Sequence, residues 1–227
     1  MIISTINGFD DFCNEIKKIG FCLSGNNGEE VFSLKSYYSD NIELHTGSKE
    51  FDPWEWKNRA VKETDYICYG KVFLNKAGWI TIDWIPDFIS VRRDGKSFEE
   101  LYHDGLMTQM EKQVFNLINS RVKVSINDIY LELGRSKKKS IVKALTNLQM
   151  LLLITICDEI YKISNSGVPY GWPVTVFSTM EEKFGKGVTE KAKEIDSGIA
   201  YYNISEQLKK LNSQVTDKKI NKFIKKL

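Results

Sequence analysis

Hydrophobic periodicity switches from helical to extended within residues 107–179, and that switch limits the possible folds more than any other feature of the chain. In "MTQMEKQVFNLINS", Met110, Val114, Leu117 and Ile118 share one helical stripe. Ser125 then stands three residues before Asp128, a capping signal for a short helix with Ile126, Ile129, Tyr130 and Leu133 inward. Gly134 ends that helix. Ser136 is placed to cap the next one, in which Ile141, Leu145 and Leu148 form the buried stripe. "LLLITICD", "EIYKISNSGVPYGW" and "PVTVFST" read as a strand, a wing turning at Gly167 and Gly171, and a second strand. Helix, short helix, turn, helix and β-hairpin is the order of a winged helix-turn-helix.

The flanking segments read as a mixed α+β chain. Phe9, Phe12, Cys13, Ile16 and Ile19 recur at helical spacing before Gly20. "FCLSGNNGEEVFSL" reads as two short strands around an Asn-Asn-Gly turn. "DYICYGKVFLNKAGWITIDWI" reads as a hairpin with strands near 66–74 and 78–85, turning over Asn75 to Gly78. Alternation puts Ile80, Ile82 and Trp84 on its core face. From Met180 onward the pattern is helical and increasingly basic. The expected division is an α+β region over 1–106, a winged helix-turn-helix over 107–179 and a helical basic tail over 180–227.

Composition narrows the function classes. With 42% hydrophobic and 27% charged residues, the chain fits an ordinary globular protein. No run approaches the ~20 apolar residues of a membrane span, and "MIISTINGFDDF" lacks the pattern of a secretion signal. Cys13, Cys22, Cys68 and Cys157 are scattered, with no C-x-x-C pair. Free thiols in a reducing cytoplasm are expected, with no structural zinc and no cofactor. His45 and His103 stand far apart, which speaks against a histidine-based triad or metal site.

The net charge of +2 is unevenly spread. "RSKKKSIVK" (135–143) sets Arg135, Lys137, Lys138 and Lys139 at the start of the helix expected to face a nucleic-acid groove. Cations there oppose the helix macrodipole, and a bound phosphate would resolve the conflict. Lys143 and Asn147, further along, are placed to reach bases. "KKLNSQVTDKKINKFIKK" (209–226) is a second basic segment. In "FDPWEWKNRA" (51–60), Asp52 is the natural cap of a helix starting at Pro53. Trp54 and Trp56 then point about 200° apart, one ring into the core and the other over a neighbouring surface. Arg59 is expected to pair with Glu55.

"FDPWEWKNRAV", "YGKVFLNKAGWITIDWIPDFISVRRDG", "LTNLQM" and "GVPYGWPVTVFST" resemble a bacterial family described as AlkZ-related, over about residues 20–185. The resemblance implies kinship with winged-helix DNA glycosylases that excise alkylated bases or unhook crosslinks. Those enzymes carry Gln–apolar–Asp or Gln–apolar–Gln followed by a downstream Arg. Here Thr81-Ile82-Asp83 stands in that place, with Arg92 or Arg93 downstream, and the leading Gln is missing. Asp83, Arg92 and Arg93 are therefore the catalytic candidates. The competing reading makes Asp83 a sheet-surface aspartate paired with Arg92 or Arg93. The expected function is DNA binding, mainly through phosphates. The alternatives are an AlkZ-like glycosylase for alkylated bases and a winged-helix protein-interaction module.

Overall fold

The structure is a computed structural model that describes residues 2–25 and 28–224. It is a mixed α/β chain with two three-stranded antiparallel sheets. The first sheet holds β1 (Phe21–Leu23), β3 (Lys76–Thr81) and β2 (Ile67–Phe73), in that spatial order. On one side it packs α1 (Phe9–Ile19) and α2 (Pro53–Glu63), around Phe12, Ile16, Trp56 and Trp79. A second cluster joins this sheet to α3 (Ile85–Arg93).

β2 and β3 meet at Leu74 and Asn75, both with positive φ (54° and 59°). That is a two-residue hairpin turn, tighter than the one expected over Asn75 to Gly78. Gly78 lies inside β3, where a Cβ would sit 2.4 Å from the Phe73 ring and 2.9 Å from the Cys22 carbonyl. β3 also ends earlier than alternation suggests. The strand expected to reach residue 85 stops at Thr81, and Ile82 to Trp84 form a turn into α3. Pro86 accounts for this: it cannot donate to a sheet ladder, and its fixed φ suits a first helical turn. The second strand expected in "FCLSGNNGEEVFSL" reduces to one bridge, Leu23 to Ser33, followed by a 3-10 turn over Leu34–Tyr37. Asn26 and Asn27 of the expected turn lie outside the described residues.

The middle of the chain runs α4 (Phe98–His103), α5 (Gln109–Arg121), β4 (Val124–Ser125), α6 (Ile126–Leu133) and α7 (Lys138–Met150). The long strands β5 (Ile154–Ile163) and β6 (Pro169–Thr179) follow. Their sheet has the order β4–β6–β5. Val114, Ile118, Ile129, Ile141, Leu145, Leu148 and Phe177 fill its core. Ser97, Thr108 and Ser125 each close a reciprocal capping box, with Glu100, Glu111 and Asp128. Ser136 does not cap α7. It lies within a 3-10 turn, Arg135–Lys137, that runs straight into the helix.

The C-terminal segment holds α8 (Met180–Phe184), α9 (Gly187–Glu194), α10 (Ser197–Leu211) and α11 (Asp217–Ile224). Its basic stretch is packed. Ala192, Ala200, Ile204, Leu208, Ile220 and Phe223 belong to the same core as Phe21, Phe73 and Phe88. Phe223 stacks on Phe73 with ring centroids 4.0 Å apart. The α11 lysines face outward, where Lys222 meets Glu29 at 3.2 Å and Lys219 pairs with Glu30.

Candidate nucleic-acid interface

α7 is held at one end and bare at the other. At its C-terminus, Arg92 Nη1 donates to Met150 O at 2.7 Å and Arg93 Nε donates to Leu151 O at 3.0 Å. Arg92 Nε also donates to Ile224 O at 2.8 Å, so one guanidinium caps the ends of both α7 and α11. A cation at a helix C-terminus is favoured by the macrodipole. Arg92 is 1% exposed, beside the rings of Phe88 and Phe73. Burial pulls its pKa down to about 9, still above neutral pH, so it stays charged. Gln149 adds a further tie, accepting from Lys71 N at 3.0 Å and donating to Leu145 O at 2.8 Å.

At the other end, Arg135, Lys137, Lys138, Lys139 and Lys143 are all exposed. Among the described residues, none of them forms an ion pair with a carboxylate. Lys138 Nζ lies 5.2 Å from the Tyr130 ring centroid. The first turn of α7 has no acidic residue and no side-chain cap, and the 3-10 turn before it ties the Lys137 amide to Gly134 O at 3.0 Å. Asn147 is not part of this group. Its amide donates to Glu111 Oε1 at 2.6 Å, and Glu111 is itself buried in the α5 capping box. Asn147 therefore braces α7 against α5 and is not free to reach a base.

The three catalytic candidates are dispersed. Thr81 is 2% exposed, and its amide bonds Gly20 O at 2.7 Å. Asp83 is exposed in the turn after β3. It borders a cleft of about 470 Å³ with Asp87, Glu206 and Lys210. Arg92 and Arg93 are buried and donate to main-chain carbonyls. The expected pairing of Asp83 with Arg92 or Arg93 does not occur. Asp83 left the sheet when β3 ended, whereas both arginines turn inward on α3.

The two tryptophans divide as the helical arc requires. Trp56 is 1% exposed, stacks on Phe12 and donates from Nε1 to Glu50 O at 2.9 Å. Trp54 faces outward and meets Trp172 of β6 edge-on, with ring centroids 6.0 Å apart. Lys57 Nζ lies 3.7 Å from the Trp54 ring centroid and 2.8 Å from Glu159 Oε1, tying α2 to β5. Arg59 pairs with Glu63 at 3.0 Å and Glu50 at 3.5 Å, not with Glu55. Stacking on Phe9 at 3.8 Å and a bond to Lys49 O hold it on that side.

A family model described as AlkZ related matches residues 6–225. The chain belongs to the AlkZ-related family. No curated protein and no solved structure matches it. The family match extends past the motif-bearing stretch of 20–185 into α1 and α9–α11, the elements that complete the two cores around the first sheet. Among the described residues of this AlkZ-related chain, no group of three His, Cys, Asp or Glu side chains is arranged to hold a metal ion. No described helix is long and apolar enough to cross a membrane.

Proposed function

We propose that this AlkZ-related chain binds nucleic acid, that its target is duplex DNA, and that residues 107–179 act as a winged helix-turn-helix. The observation that carries the reading is the basic first turn of α7, exposed and without carboxylate partners among the described residues. Left alone, each cation there opposes the macrodipole at a cost of about 0.3–1 kcal/mol. A phosphate would neutralise the clustered cations and remove that conflict. The element order α5–β4–α6–α7–β5–β6 and the sheet order β4–β6–β5 support the winged assignment. Membership of the AlkZ-related family supports DNA as the target.

Contacts of this kind position a protein on the backbone without reading sequence. Asn147, the one side chain suited to reading adenine, is engaged by Glu111. The paired α11 lysines make the C-terminal segment a lesser contributor. No catalytic step is assigned, because Asp83 stands apart from Arg92 and Arg93. Four buried free cysteines support a cytoplasmic setting.

The test is fluorescence anisotropy with short duplexes of unrelated sequence across a salt series. Binding should be alike for all of them. Its logarithm should fall with log salt at a slope of about −3 to −4, as for a few phosphate contacts. Lack of binding at low salt, or a flat salt response, contradicts the proposal.

A further inference from the structure

Trp54, Trp172 and Tyr161 line a cleft of about 340 Å³ between α2 and the turn end of the β5–β6 hairpin, with His45, Asp52 and Glu55 at its edges. We propose that this cleft is a binding site for an organic cation, either a quaternary ammonium or a flat positively charged ring. The inference is independent of the nucleic-acid reading, because it uses no residue of α7.

Three features carry it. The first is wall geometry. Trp54 and Trp172 stand at 76° to each other with centroids 6.0 Å apart, which makes a corner of two aromatic surfaces. Tyr161 borders the same opening. Trp172 is 74% exposed, an unusual amount of open ring for an indole held against another indole. Aromatic faces carry negative quadrupole density and attract a cation whose weak hydration makes it easy to strip of water.

The second is charge. The lining includes Asp52 and Glu55 and neither lysine nor arginine, on a chain whose net charge is positive. Backbone amides, foremost that of Trp54, hold the Asp52 carboxylate below its usual range despite its burial, so it is ionised. The Glu55 side chain makes no ion pair or hydrogen bond with any described residue, although it is partly buried beside Tyr161. That lining suits a cation and repels a phosphate.

The third is that a cation already uses the same ring. Lys57 Nζ sits 3.7 Å from the Trp54 centroid. Lys57 borders a neighbouring cleft and not this one, and Trp54 borders both. Glu159, 2.8 Å from the Lys57 ammonium, offsets its charge and limits its repulsion of a second cation.

The probes are tetramethylammonium, N-methylpyridinium and, as a neutral control of similar size, tert-butanol. Each is titrated into the full chain while tryptophan fluorescence and NMR shifts are followed. Saturable binding of one or both cations is expected, with the stronger of the two giving the shape of the natural group. Trp172→Ala and Glu55→Gln should each weaken it by about tenfold, with thermal unfolding little changed because Trp172 is largely exposed and the Glu55 side chain has no described partner to lose. Tert-butanol should bind far more weakly. Equal affinity for tert-butanol, no saturation with either cation, or affinity that survives both substitutions would overturn the proposal.

Discussion

Arg92 Nη1 donates to Met150 O at 2.7 Å, and that bond fixes the inner end of the helix whose outer end carries the lysines. Arg92 also serves Ile224 O and Phe223 O, so α3, α7 and α11 meet on one guanidinium. Among the described residues its charge has no carboxylate partner. Main-chain carbonyls and the negative ends of two helices stabilise it instead.

Removing the side chain therefore strands several buried carbonyls at once. Arg92→Ala should destabilise the chain by about 3–5 kcal/mol. Arg92→Lys should recover only part of this, since an ammonium cannot reproduce the planar fork. Urea unfolding midpoints check the prediction. A loss under about 1 kcal/mol would show that the carbonyls find water.

The Lys57–Glu159 pair, buried at both ends, leads to a different pattern. Glu159→Gln leaves a buried ammonium unpaired and should cost about 3 kcal/mol. The double variant Lys57→Met, Glu159→Leu should be more stable than either single variant. Denaturant titration of all four proteins forms a complete cycle. A double variant less stable than both singles would contradict this, since losses that simply add show no coupling between the two charges.

Burial pushes the Cys22 thiol up to about 12 from an ordinary 9.0. Above pH 9 the unfolded thiol ionises while the folded one keeps its proton, so the unfolded state gains and stability falls as pH rises. A chain lacking the thiol escapes that loss. The penalty of Cys22→Ala should therefore be smaller at pH 10 than at pH 8 by about 1 kcal/mol. Equal penalties at the two pH values would mean that the thiol is not desolvated.

The C-terminal helices belong to the core that joins the first sheet to α3. A chain ending at residue 185 loses Ala200, Ile204, Leu208, Ile220 and Phe223, all buried. At about 1.5–3 kcal/mol per large side chain, the loss rivals the whole stability of a domain. Near-ultraviolet circular dichroism should show loss of fixed aromatic packing. A sharp two-state transition in the shortened chain would contradict this.

Short-range features were readable in the sequence because both partners lie within one helical turn. Ser125 with Asp128 and Asp52 before Pro53 both behave as their spacing implies. The exposed lysines of α7 were readable for the same reason: nothing apolar interrupts them. Long-range choices left no such trace. Arg92 looks like a surface or catalytic arginine until Met150, 58 residues on, and Ile224, 132 residues on, supply its acceptors. Those acceptors are backbone atoms, and a carbonyl has no residue type to read. Lys57 and Glu159 are 102 residues apart. In α11 the lysines were conspicuous, but the spacing of Ile220, Phe223 and Ile224 was the stronger signal and placed the helix in the core.

The most direct test of the DNA-binding proposal is the salt dependence of duplex binding by Lys137→Ala, Lys138→Ala, Lys139→Ala combined. These side chains are exposed and form no ion pair with any described residue, so the fold should be unaffected. A control replaces Lys186, Lys191 and Lys193 by Ala, removing the same charge from the exposed side of α9 and its approach. The α7 variant should bind all duplexes more weakly by a similar factor, and its slope of log affinity against log salt should be shallower by about 2–3. The control should keep the original slope. An unchanged slope in the α7 variant, with the fold intact, would contradict phosphate binding by this turn.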